Sequence, residues 1–79
     1  MQITIKYFGR IAELINQSDE QITLVTASNV RALKSVLETK YPQLQQESYK
    51  VAVNQSIAHE DALVEQESEI ALLPPFAGG

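Results

Sequence analysis

Polar and apolar residues alternate over residues 2–8, with Ile3, Ile5 and Tyr7 on one side and Gln2, Thr4 and Lys6 on the other. A period of two predicts a strand with one wet face. Gly9 breaks the pattern, and Ile11, Leu14 and Ile15 then recur at helical spacing, predicting a short helix over 10–16. Residues 17–20 read as a polar connection. Residues 21–25 read as a second strand, with Ile22 and Leu24 facing inward. Val30, Leu33, Val36, Leu37 and Tyr41 form the apolar stripe of a longer helix from Val30 to Lys40. Ser28 or Asn29 can cap its first turn, because either side chain can accept from a free backbone N–H. Pro42 disfavours helical geometry at Tyr41 and sets the stop. Lys40 in the last turn suits the helix dipole. Further on, the pattern predicts short strands at 51–53 and 56–58 around an Asn54-Gln55 turn. It then gives one helical turn at 61–63, a polar loop at 65–68 and a last strand at Glu69–Leu73.

That order defines a fold class. The first two strands must pair and leave one apolar face, and one amphipathic helix is available to cover it. The last strand is apolar enough to sit inside the sheet beside the first. The expectation is an α+β, ubiquitin-like β-grasp fold, a mixed sheet packed on one main helix. Residues 1–73 would form the domain and 74–79 an extended tail.

Composition narrows the chemistry. The chain has 79 residues and 44% hydrophobic content, enough for one modest core and little for a deep pocket of its own. No apolar run reaches the ~18 residues that a membrane span needs, and the alternating N-terminal segment is unlike a signal peptide, so the expected location is the cytoplasm, with no membrane partner. There is no cysteine, which removes disulfides, thiolate metal ligands and a persulfide carried on a side chain. One histidine builds no metal site. The net charge of -4 argues against nucleic acid. All six bases precede residue 51, whereas Glu60, Asp61, Glu65, Glu67 and Glu69 follow it. This asymmetry fits either a solvated acidic loop or an acidic face that steers a basic partner.

Few residues offer chemistry of their own. His59-Glu60-Asp61 are consecutive in a loop with no nucleophile, so His59 reads as an exposed loop residue. Three glycines, at 9, 78 and 79, make no phosphate-cradling loop. Tyr7, Phe8, Tyr41 and Tyr49 read as core and rim packing, and Asn54 as turn chemistry. The tail is different. Pro74 and Pro75 impose an extended exit from the last strand. Six residues from Pro74 to Gly79 reach up to ~20 Å. Gly78 and Gly79 lack Cβ and can thread a narrow channel.

With those residues in view, the chain resembles the small subunits of molybdopterin synthase, the sulfur-carrier family of molybdenum cofactor biosynthesis. The resemblance spans IKYFGRIAELIN, SNVRALKSVLETKYP and VAVNQSIAHEDALVEQESEIALLPPFAGG. It implies that Gly79 carries the chemistry, first as an acyl-adenylate and then as a thiocarboxylate, while Gly78 gives clearance. Pro74, Pro75, Phe76 and Ala77 would set the path and meet the partner, together with the apolar part of the sheet near the exit. No cofactor would be bound: AMP sits on Gly79 only transiently before sulfur replaces it. The implied partners are a ubiquitin-activating-like adenylyltransferase, a sulfur donor protein and the large synthase subunit, in a 2:2 heterotetramer. The large subunit would supply the pterin pocket and the acid–base groups. Related possibilities are a carrier serving thiazole formation, a modifier joined to lysines through Gly79, and a ubiquitin-like binding module with an inert tail.

Overall fold

A computed structural model describes residues 1–24 and 28–75. Strand β1 (Gln2–Tyr7) is followed by helix α1 (Gly9–Ile15), β2 (Asp19–Thr23), β3 (Ser28–Asn29) and helix α2 (Val30–Lys40). A 3-10 segment, Pro42–Gln46, leads to β4 (Lys50–Val53), β5 (Ser56–Ile57), β6 (Leu63–Val64) and β7 (Glu69–Leu73). Five strands form one sheet in the order β2-β1-β7-β4-β5. β7 lies in its middle, parallel to β1 and antiparallel to β4. This is the mixed sheet of a ubiquitin-like β-grasp fold, as the element order predicts.

The inward positions are the alternating ones. Ile3, Ile5 and Tyr7 of β1, Ile70 and Leu72 of β7 and Val51 of β4 are buried, and α2 covers them with Val30, Leu33 and Leu37. Ile11 and Ile15 of α1 and Leu44 of the 3-10 segment close the core. Removing these side chains from water is the main favourable term of folding.

Helix α2 shows how the loops complete the fold. Its first N–H groups have no intrahelical acceptors. Asn29 Oδ1 takes the Ala32 N–H at 2.9 Å, the Glu60 carbonyl takes that of Arg31 at 2.9 Å, and the Ala62 carbonyl takes that of Val30 at 3.0 Å. Asn29, of the two candidates, is therefore the cap.

Four local expectations are corrected. Val36 is 42% exposed: the buried arc of α2 is Val30, Leu33 and Leu37, and Val36 falls on its shoulder. Residues 61–63 make no helical turn. A turn closed by the Ala62 N–H on the His59 carbonyl at 3.0 Å leads instead into β6, which pairs with β3. Asp19 and Glu20 belong to β2 rather than to a connection, and place Glu20 opposite Ile5. Of the aromatics assigned to packing, Phe8 is 45% exposed. The Asn54-Gln55 turn is as expected: both φ values are positive, at 51° and 73°, the signature of a two-residue hairpin loop.

Candidate functional site: the tail exit and the outer face of the sheet

The tail leaves from the central strand. β7 ends at Leu73, and the Phe8 N–H donates to the Leu72 carbonyl at 3.2 Å, tying the end of β1 to the exit. Gly9 follows with φ +55°, and a Cβ built on it would stand 3.2 Å from Pro74 Cγ. The bare backbone of Gly9 thus forms the seat of the first tail proline. A strand held on both edges gives the exit a fixed position and direction, which is what a tethered reactant requires. Pro74 and Pro75 are in place at that exit. Phe76, Ala77, Gly78 and Gly79 lie outside the described residues.

The outer face of the sheet beside this exit carries an apolar strip. Register puts Lys6, Ala71, Ala52 and Ile57 in one row across β1, β7, β4 and β5. Leu73 stands in the next row, on the same face as Ala71. Ile57 is 55% exposed and Phe8 forms the rim beside the exit. Ala71 is half-buried and Ala52 buried at 5%, so the low part of the strip is lined by small side chains between larger apolar ones, a shallow trough rather than a pocket. Signals for this strip exist in the sequence. The wet face of β1, read as Gln2, Thr4 and Lys6, ends on Phe8. EIALL puts Ala71 and Leu73 on the side away from the core.

Electrostatics alter the picture given by charge order. Glu60 bridges Lys34 at 3.1 Å and Arg31 at 3.5 Å, Asp61 bridges Arg31 at 3.1 Å, and Glu69 bridges Lys6 at 3.4 Å. The hydrogen bond from Lys34 holds the Glu60 carboxyl below its ordinary range. Much of the acidic stretch is therefore matched inside the chain, and the idea that it steers a basic partner loses most of its charge. Among the described residues no group of three or more potential metal ligands comes together. No helix there is long and apolar enough to cross a membrane.

One polar cluster was missed by sequence reasoning. Glu20 accepts from the Tyr7 hydroxyl at 2.6 Å, the Tyr41 hydroxyl at 2.5 Å and Lys40 Nζ at 2.7 Å. Burial alone would raise the Glu20 carboxyl, but these three donors and the Lys40 charge together hold it below its ordinary range. Burial and then Glu20 push the Tyr7 hydroxyl well above its own. The cluster joins β1, β2 and the end of α2, on the core side of the sheet, and its role is structural.

The fold and its exit define the class of ubiquitin-like β-grasp proteins. Within that class the chain belongs to the ThiS family, whose model matches residues 5–79. It is 30% identical to a molybdopterin synthase sulfur carrier subunit of Mycobacterium tuberculosis, over 100% of this chain and 99% of the relative. Two solved structures are similar in fold. The small archaeal modifier protein 1 of Haloferax volcanii superposes with a TM-score of 0.82 at 19% identity, covering 95% of this chain and 98% of that one. A subunit in the complex of subunits 1 and 2 of molybdopterin-converting factor from Helicobacter pylori superposes with a TM-score of 0.71 at 21% identity, covering 100% of both chains.

Proposed function

We propose that the protein is the sulfur carrier and small subunit of a molybdopterin synthase, acting in the cytoplasm through its Gly79 carboxylate. The observation that carries this reading is the full-length match to the Mycobacterium tuberculosis carrier subunit. Three features support it: the family match that runs through residue 79, the exit from a clamped central strand, and the apolar trough beside that exit. The pairing of two subunits in the Helicobacter pylori complex fits a large-subunit partner seated there.

A carboxylate is a poor electrophile, so activation comes first. A Gly79 oxygen attacks the α-phosphorus of ATP on the adenylating partner and pyrophosphate leaves. Sulfur delivered by the donor protein at the oxidation level of sulfide then attacks the acyl carbon, and AMP leaves with the C–O bond electrons. The product is a thiocarboxylate. Its sulfur attacks a carbon of the cyclic pterin precursor on the large subunit and displaces an oxygen substituent, which leaves with the C–O bond electrons. Water then hydrolyses the resulting thioester, leaving the sulfur on the pterin and Gly79 as a carboxylate, and two such transfers build the dithiolene. This chain supplies reach and aim: Pro74 and Pro75 direct the tail, Phe76 and Ala77 meet the partner, and Gly78 gives clearance. Acid–base work belongs to the large subunit.

The test is intact-mass measurement after incubation with ATP, the adenylating enzyme and a sulfide source. Replacement of one oxygen by sulfur at Gly79, followed by precursor conversion with the large subunit, is the expected result. Isopeptide adducts on lysines would make the chain a modifier. Conversion only of a thiazole precursor would make it the thiamin-type carrier, and an unchanged mass an inert module.

A further inference from the structure

One charge stands within the apolar strip of the outer face. Register sets Lys50 opposite Leu73, one row nearer the exit than Ala52 and Ala71. Val51 and Leu72 are buried on the core side, so the alternation of the two strands turns Lys50 and Leu73 outward together. Lys50 is exposed. Ile57 lies beyond it on the edge strand β5, and Phe8 lies across the exit at the end of β1. A surface that reaches from Phe8 to Ile57 therefore crosses β4 and covers the strand that carries Lys50.

The bases of the chain differ in what they already hold. Lys6, on the same face, is paired with Glu69 at 3.4 Å and so brings its own counter-charge under any partner. Arg10 is paired with Glu47, Arg31 with Glu60 and Asp61, Lys34 with Glu60 and Lys40 with Glu20. Lys50 has no carboxylate within ion-pair distance among the described residues. Glu38 and Glu47 line a hollow with it, but Arg10 takes Glu47, and Glu38 accepts the Tyr49 hydroxyl from α2, on the other side of the sheet. An ammonium group only donates. Covering it without an acceptor leaves an uncompensated charge, which is costly.

We propose that Lys50 selects the partner at the exit: the large subunit seats a carboxylate opposite it, beside the apolar residues that fill the trough. The identity of that partner rests on the carrier reading. Apolar contact supplies affinity. Lys50 fixes the register of the two surfaces and rejects any that presents a base or a bare apolar patch at that point.

The test titrates the full chain into the large subunit. Lys50→Glu should weaken binding at least about tenfold, since like charges placed together repel at an interface. Lys50→Met should weaken it less, and Lys50→Arg should stay close to wild type. Raising salt from 0.1 to about 1 M should weaken the wild type more than Lys50→Met, because only the wild type keeps the pair that salt screens. Changing the acidic residues of the large subunit to lysine one at a time should find one that restores binding to Lys50→Glu. Lys50 is exposed, so every variant should keep the wild-type melting temperature. An unaffected Lys50→Glu, a Lys50→Met that binds as tightly as wild type or more so, or no restoring lysine would each overturn the proposal while leaving the carrier reading intact. A wild-type chain that never binds the large subunit would end both.

Discussion

Glu20 shows how much one residue can hold together. Three donors converge on its carboxylate, from Tyr7, Tyr41 and Lys40. Glu20→Gln leaves the two hydroxyls with a weaker acceptor and Lys40 with no counter-charge, and should cost about 1.5–3 kcal/mol of stability at neutral pH. The sign of the pH dependence follows from the depressed carboxyl. A group held below its unfolded pKa contributes stability above that unfolded value, about 4.3, and loses it as pH falls through the folded value. Denaturant unfolding should therefore show the gap between wild type and Glu20→Gln narrowing as pH drops from about 5 towards 3. An equal gap at both ends would remove Glu20 from the account. Phe8 makes the opposite case: it is 45% exposed, so Phe8→Ala should change the melting temperature little. At the centre of a partner interface the same truncation should cost about 2 kcal/mol of binding. Calorimetric titration with the large subunit checks this, and normal affinity would move the interface off the trough.

At the scale of elements, α2 separates what packing decides from what pattern alone decides. Leu37 is fully buried, and Leu37→Ala should cost about 2–5 kcal/mol. Val36→Gln, on the shoulder of the same helix, should be close to neutral by thermal melting. A large loss there would restore Val36 to the core. Periodicity places both residues on one stripe, because neighbouring positions differ by only ~100° around the helix. Which of them is covered depends on the sheet beneath, which the helix sequence does not contain. The helix ends were more legible. Asn29 and Pro42 act through short-range backbone chemistry, and the structure puts the boundaries at Val30 and Lys40 as read. β3 and β6 were illegible for the converse reason. Two residues each carry no period, and their pairing joins Ser28 to Val64 across a long stretch of chain. Glu20 was missed in the same way: its partners lie 13 to 21 residues away in sequence.

For the whole molecule, the pairing of the first two strands and the place of the last one inside the sheet beside the first were legible, since a strong strand at each end of the chain and one long amphipathic helix leave few other arrangements; that β4 flanks β7 on its other edge was not. The distribution of charge was not. Counting acids after residue 51 gives an acidic face, whereas folding brings Arg31, Lys34 and Lys6 onto Glu60, Asp61 and Glu69. Association with the large subunit should accordingly depend only modestly on salt between 0.1 and about 1 M, where screening shortens from ~10 to ~3 Å. A steep fall in on-rate that glutamine substitutions at Glu65 and Glu67 abolish would restore the acidic face. The central claim is that the molecule delivers a reactive terminus at one fixed distance from a rigid exit. Reacting atoms must come within ~3–3.5 Å, and one added residue moves the terminus by up to ~3.6 Å. The most direct test is a variant with one residue appended to Gly79, assayed by intact mass for thiocarboxylate and then for precursor conversion, with thermal stability as the control. The account predicts an unchanged melting temperature with charging and conversion both lost. A variant that is charged and converts precursor at the wild-type rate would contradict it, because Gly79 would then not be the group that carries sulfur.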